Sequence, residues 1–303
     1  MRKRVSICVA VWNTSHLLKR TLETYCQQTY DNFEVIVIDD NSEDDVAGTV
    51  APFKDRLDVK VHRLEHDIGM RGNTVSFNTA FSLAQGELIL ESTPEIMFYP
   101  ECVAEMVAAI EEMPRPSWVS IRTYNITPED QLVIDTVDWK ADIKSLETLP
   151  NFHSEWTQNN MKKREFGTHQ TCIFHRSDWF KYWVRWPLFA DYGTDDPWQA
   201  GVREARNIHN KTMEPLVYHQ WHAPINFWMA YDKAPYWNAW GHSIENVYND
   251  PVVPEGGTSM IWEKDRPEGR THKMTEADKE NWKGWTDSVI KTGFRRKDGR
   301  ETL

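Results

Sequence analysis

The chain has 303 residues and a formal net charge of −11, with 40% hydrophobic and 12% aromatic residues. That length allows one large α/β domain with an appendage or two modest domains, and the apolar content suffices for a real core. The acidic balance excludes nucleic-acid binding through a broad basic surface, since phosphate contacts need clustered Lys and Arg; it leaves room only for a local groove.

The four Cys, at 8, 26, 102 and 172, form no CxxC pair, so neither a zinc ribbon nor a thioredoxin-like site is indicated. His169-x-x-Cys172-x-x-His175 reads as a strand, which would set Cys172 and His175 on opposite faces. No apolar run approaches the roughly 20 residues that span a bilayer, and the opening MRKRVSICVAVWN turns polar too soon for a signal peptide. A soluble, cytoplasmic protein without membrane partners is expected. Fifteen Trp, most of them after residue 117, suggest either stacking surfaces for sugars or bases or a Trp-packed second half.

In chain order, Val5 to Val11 reads as a buried strand, and a helix follows with Leu18, Leu22, Tyr25 and Cys26 on one face. A second strand covers 34–38, its core Val35-Ile36-Val37-Ile38 apolar on both faces as in a parallel sheet flanked by helices. A short helix near 44–53 and the alternating Val59, Val61 and Leu64 come next. Thr74 to Ala84 reads as a helix closed by Gly86, and Leu88-Ile89-Leu90 as a fourth strand. Pro100 opens a helix with Val103, Met106, Val107 and Ile110 buried. This alternation predicts a largely parallel sheet with right-handed crossovers. Residues 125–165 read as a polar excursion over the sheet, followed by a strand at 170–175, a helix at 197–206 and a peripheral helix from Glu276 to Ile290.

The second strand stops on Asp39-Asp40 within FEVIVIDDNSEDD. Ligands of open α/β sheets bind at such carboxyl ends, although the same acids and Asn41-Ser42 could simply shape a turn and cap a helix. No GxGxxG follows the first strand and no GxxxxGK[ST] occurs, so a nucleotide here would be held by acids and a metal.

VSICVAVWN at 5–13, EVIVIDDNSEDD at 34–45 and IGMRGNTVSFNTAFSLAQGELIL at 68–90, in that order, resemble the family 2 glycosyltransferases of the GT-A fold. The resemblance is close over residues 5–110 and looser over 165–225. It implies a Rossmann-like, mostly parallel sheet flanked by helices. In that reading residues 1–125 form the nucleotide-sugar half and residues 126–250 the Trp-rich acceptor and catalytic-base half of one domain, with 251–303 a C-terminal extension.

Transferred residue by residue, the resemblance implies that Val11 and Trp12 line the base pocket and that Asp39 or Asp40 hydrogen-bonds the base or ribose, with Arg71 and Asn78 approaching the sugar nucleotide. The family's Asp-x-Asp metal motif falls on Thr93-Pro94-Glu95, a departure that leaves Glu95 as the motif acid and Glu91 as the fallback. Mn²⁺ or Mg²⁺ on oxygen ligands would neutralise a leaving diphosphate. A C-terminal His ligand is implied at His219 or His222. Asp196, with Asp195 beside it, matches the family's catalytic base, which takes the acceptor hydroxyl proton in an inverting transfer.

The expectation is therefore a metal-dependent transfer of one sugar from a nucleoside diphosphate sugar, UDP-sugar foremost, to a glycan or other hydroxyl acceptor. A modified nucleic-acid base is not excluded, and INFWMAYDKAPYWNAWGH would form part of the acceptor wall. Trp183 to Trp186 lacks the Gln and the membrane helices of processive synthases. Two alternatives stay open: a catalytically degenerate GT-A domain that binds nucleotide or glycan, and a sugar nucleotidyltransferase. The latter should carry a Gly-rich activation loop near the first strand, and Ser6 to Thr14 has none.

Overall fold

The computed structural model describes residues 2–64, 73–154, 168–178 and 209–221. The helices expected at 197–206 and 276–290 and the extension from 251 lie outside these residues.

Apolar, β-branched runs build the centre. Strand β1 (Val5–Val11) is buried along its whole length, and β2 (Phe33–Asp39) is buried at all but its first residue. They pair in parallel from Val5 opposite Phe33 to Val11 opposite Asp39, so both end at one level. Helix α1 (Ser15–Tyr25) joins them and buries Leu17, Leu18, Leu22 and Tyr25. Each such side chain contributes about 1.5–3 kcal/mol on burial.

The helix expected near 44–53 is α2 (Val46–Val50) followed by a 3₁₀ turn at Ala51–Phe53. Asp45 caps α2 by accepting from the Gly48 amide at 2.7 Å. Strand β3 (Val59–Arg63) adds to β2, while α3 (Asn73–Leu83) crosses back to β4 (Leu88–Ser92), which pairs with the other side of β1. After β5 (Ile96–Phe98), α4 (Cys102–Glu111) buries Val103, Met106 and Ile110 as its spacing predicts. Strands β6 (Ser117–Ile121), β7 (Tyr124–Asn125), β8 (Thr168–His175), β9 (His209–Met213) and β10 (Val217–His219) complete the described set.

The main sheet has seven strands in the order β3-β2-β1-β4-β8-β6-β9, and a small sheet has the order β5-β10-β7. The main sheet is mostly parallel, as expected, with β8 the exception: it runs antiparallel to both β4 and β6. Trp118 stacks on Phe174 at 5.2 Å between ring centroids, and Phe81 meets Phe174 edge-on at 5.5 Å, which fastens β6, β8 and α3 together.

The stretch after 125 is less peripheral than its polarity suggests. Helix α5 (Pro128–Leu132) is capped by Thr127, and Ile134, Trp139, Ile143, Leu146, Leu149 and Phe152 all enter the main core. Buried Asp130 closes the excursion by accepting from the Asn151 amide and side chain, each at 3.1 Å.

A buried polar knot lies at the amino ends of β1 and β2. Glu34, fully buried, accepts from Ser6 Oγ at 2.7 Å, the Gln85 amide at 2.8 Å and Lys60 at 2.8 Å. The Gly86 amide donates to Ser6 Oγ at 2.8 Å. A Cβ on Gly86 would stand 2.7 Å from both the Arg4 carbonyl and the Ser6 nitrogen, so no larger residue fits this helix-to-strand junction.

Candidate active site

The carboxyl ends of β1 and β2 lie side by side because the two strands share one register, and their loops are laced together. The Asp40 amide donates to the Val11 carbonyl at 2.8 Å. The Asn13 amide donates to Ser42 Oγ at 3.1 Å, and the Glu43 amide to Asn13 Oδ1 at 2.7 Å. The Ser15 amide donates to Asp44 at 2.8 Å. Asn13 and Asn41 hold left-handed backbone, with φ of 54° and 58°, a region in which Asn is among the best-tolerated residues after Gly. Val11 is buried and Trp12 half-buried at the carboxyl end of β1.

Both oxygens of Asp39 are engaged. Oδ1 accepts from the Ser42 amide at 2.8 Å, and Oδ2 accepts from Arg63 at 2.7 Å. Each oxygen keeps a second lone pair. Sequence patterns did not single out Arg63; its only signal is its position at the carboxyl end of β3, next to the strand that ends in the acid pair.

The second half of the site forms where β4 gives way to β5. Glu95 and His219 come together across the small sheet, Oε1 to Nε2 at 3.8 Å, with His219 in register with Ile96. The surroundings hold both in place. The Gln220 amide donates to the Glu95 carbonyl at 2.9 Å, the Ile126 amide to the His219 carbonyl at 2.9 Å, and Thr21 Oγ1 to the Pro94 carbonyl at 2.6 Å. Tyr218 is clamped by Tyr99 at 2.6 Å between hydroxyls and by Glu147 at 3.0 Å. Burial drives the Tyr218 and Tyr99 phenols well above their ordinary range.

Thr93 Oγ1 is buried and has no hydrogen-bond partner among the described residues. The residues present fit a divalent cation in part. Two ligands on one ion can stand up to about 4.2 Å apart, twice a typical bond, and Glu95 and His219 fall within that span. Among the described residues no group of three or more His, Cys, Asp and Glu is suited to a metal ion. Mg²⁺ is commonly held by one or two carboxylates and completes its shell with phosphate oxygens and water, so Glu95 is the ordinary ligand of this pair for it, while the His219 imidazole favours a transition-metal ion such as Mn²⁺.

The other expected site residues distribute differently. Glu91 is fully buried in the body of β4, opposite Cys8 on one side and Cys172 on the other. Asn78 lies within α3. Arg71, Asp195, Asp196, His222 and the Trp-rich segment at 225–242 lie outside the described residues. Cys172 and His175 both lie in β8, three residues apart, as expected. A cavity of about 590 Å³ sits beside this site, between α1 and residues 135–140. Arg20 on its wall pairs with Asp135 at 2.6 Å and reaches Gln220 at 3.4 Å. No helix among the described residues is long and apolar enough to cross a membrane.

The validoxylamine A glucosyltransferase of Streptomyces hygroscopicus subsp. jinggangensis is 32% identical over 107 residues, which cover 35% of this chain and 25% of the relative. The poly(ribitol-phosphate) beta-N-acetylglucosaminyltransferase TarS of Staphylococcus aureus is 28% identical over 111 residues, 36% of this chain and 19% of that protein. The chain thus spans about a quarter of the length of the curated relatives it matches. Among solved structures, residues 1–349 of S. aureus TarS in complex with UDP-GlcNAc superpose with a TM-score of 0.59 at 18% identity, covering 96% of this chain and 81% of that one. The mannosyltransferase PcManGT of Pyrobaculum calidifontis, in complex with GDP-Man and Mn²⁺, gives 0.53 at 16% identity, covering 96% and 76%. These likenesses establish the GT-A fold. The family model described as Glycosyl transferase family 2 matches residues 6–182, more than half of the sequence, and the chain belongs to that family.

Proposed function

We infer that the protein transfers a single sugar from a nucleoside diphosphate donor to an acceptor hydroxyl, with a divalent cation and with inversion. The observation that carries this reading is the meeting of Glu95 and His219 at 3.8 Å beyond the end of β4, in the same strand-end layer as the laced β1 and β2 loops. A diphosphate leaving group and a nucleoside would then be held by neighbouring parts of one cleft. Names of related proteins point the same way: TarS is solved with UDP-GlcNAc and PcManGT with GDP-Man and Mn²⁺.

In this reading Val11 and Trp12 flank the base, and Asp39 or Asp40 accepts a hydrogen bond from the base or ribose. A carboxylate acceptor favours a base with a ring N–H, which makes a UDP-sugar the first donor to test. Glu95 and His219 would hold Mn²⁺ or Mg²⁺, which when bound supplies positive charge to the departing diphosphate. Thr93 would offer its hydroxyl to a ligand or water where the family has an acid. Arg71 and Asn78 would face the donor. Asp196 would accept the acceptor's hydroxyl proton as that oxygen attacks the anomeric carbon, with Asp195 beside it.

The test is donor hydrolysis and transfer with Mn²⁺, comparing wild type with Glu95→Ala and Asp196→Asn. Turnover that neither substitution reduces would overturn the catalytic assignment. Because Thr93 replaces an acid, binding without turnover is the competing reading. It predicts that nucleoside diphosphate sugars raise thermal stability while no product forms with any acceptor.

A further inference from the structure

Arg63 ends β3 and directs its guanidinium into the loop that follows β2. Nη1 donates to Asp39 Oδ2 at 2.7 Å, and Nη2 donates to Asn41 Oδ1 at 2.7 Å and to the Ser42 carbonyl at 3.0 Å. The three acceptors span the tightest part of the loop, where Asn41 holds φ of 58°. The Asp39 side chain is only 4% exposed. A carboxylate that deeply buried needs a cation, and without Arg63 the one described partner left to its oxygens would be the backbone amide of Ser42. The hold extends further, because Ser42 Oγ accepts from the Asn13 amide on the opposite wall at 3.1 Å. A single side chain from a third strand thus pins the loop after β2, and Ser42 ties that loop to the one after β1.

We propose that Arg63 is a positioning residue that preforms the nucleoside pocket and thereby sets donor affinity. The proposal rests on the nucleotide-sugar reading of the site. By fixing the Asp39 carboxylate and the left-handed turn at Asn41, Arg63 moves the cost of ordering this loop from binding into folding. Only an arginine does this: its planar fork meets three acceptors in fixed directions, whereas the ammonium of a lysine is a compact point charge on a flexible stem. Arg63 acts through Asp39 and the loop, remote from the carbon under attack, so its removal changes donor binding and leaves the chemical step alone.

The experiment is calorimetric titration of the full chain with UDP and Mn²⁺, alongside donor KM and kcat, for wild type, Arg63→Ala, Arg63→Lys, Asp39→Asn and the double variant Arg63→Ala/Asp39→Asn. Arg63→Ala should weaken UDP binding about tenfold, equivalent to about 1.4 kcal/mol. Donor KM should rise in proportion, with kcat held within twofold. Arg63→Lys should recover less than half of the loss. In the Asp39→Asn background Arg63→Ala should cost clearly less, since both act on one contact. Should Arg63→Ala fail to fold, Arg63→Lys carries the same comparison of KM with kcat. Wild-type affinity in Arg63→Ala, full additivity with Asp39→Asn, or a fall confined to kcat would each overturn the proposal. If wild type binds none of UDP, GDP, CDP, ADP and TDP, the donor reading fails first and the proposal falls with it.

Discussion

Glu95 Oε1 and His219 Nε2 stand 3.8 Å apart although one precedes β5 and the other ends β10, far along the chain. Their approach depends on the antiparallel register of those two strands, and it concentrates the metal question on two side chains. Mn²⁺ with UDP should raise the melting temperature of wild type by mass action, amounting to about 2.7 kcal/mol at a hundredfold excess over Kd. Glu95→Gln and His219→Ala should each raise the concentration of Mn²⁺ needed at least tenfold. A thermal-shift titration decides it: wild-type dependence in both variants would remove the pair from the metal site.

Asp196→Asn should lower kcat by about 10²- to 10⁴-fold while leaving donor KM nearly unchanged, because a general base acts on the acceptor and not on donor binding. Asp195→Asn should do less. Steady-state kinetics with saturating acceptor measures both, and a larger effect at Asp195 would exchange the two roles.

Glu34 makes acid sensitivity testable. Burial alone would push its carboxyl pKa up, but hydrogen bonds from Lys60, Ser6 and the Gln85 amide outweigh this and hold it below the ordinary glutamate value. The unfolded chain titrates near about 4.3, so this stabilisation is complete above that pH and is lost as pH falls through the lower folded value. Glu34→Gln should cost about 2 kcal/mol at pH 7 and flatten the stability profile below about pH 4.3. Urea midpoints from pH 7 down to 3 give the slope; equal slopes in both proteins would contradict the assignment.

Gly86→Ala should destabilise by about 1–3 kcal/mol, since its Cβ would meet backbone atoms of Arg4, Val5 and Ser6 that have no flexible end to yield. Chemical denaturation measures it, and a variant as stable as wild type would show that the α3–β4 junction can move away from the start of β1 at no cost.

The parallel core and the nucleoside cleft were legible because their signals are local. Val5 to Val11 is largely apolar and Val35 to Ile38 is apolar on both faces, and such runs become covered strands wherever they pack; Asp39-Asp40 then falls at a strand end by its place in the run. What the sequence did not show of the excursion after 125 is how deeply it packs, because Ile134, Trp139, Ile143, Leu146, Leu149 and Phe152 enter the core from short 3₁₀ turns and loops that carry no sustained strand or α-helical period. The antiparallel direction of β8 was hidden for a similar reason: a strand's residues do not state which way its neighbours run.

By itself, then, the amino-acid order determined the family, the sheet and the acid pair, since periodicity and motif spacing are properties of neighbouring residues. Only the tertiary structure decided which distant groups meet. Glu95 finds His219 through β10, and Asp39 finds Arg63 through β3, because strand register and crossover bring together strand ends that no local pattern connects. The same pairing sets Glu91 in the sheet interior, four residues and one strand end away from Glu95, the acid for which it was the fallback.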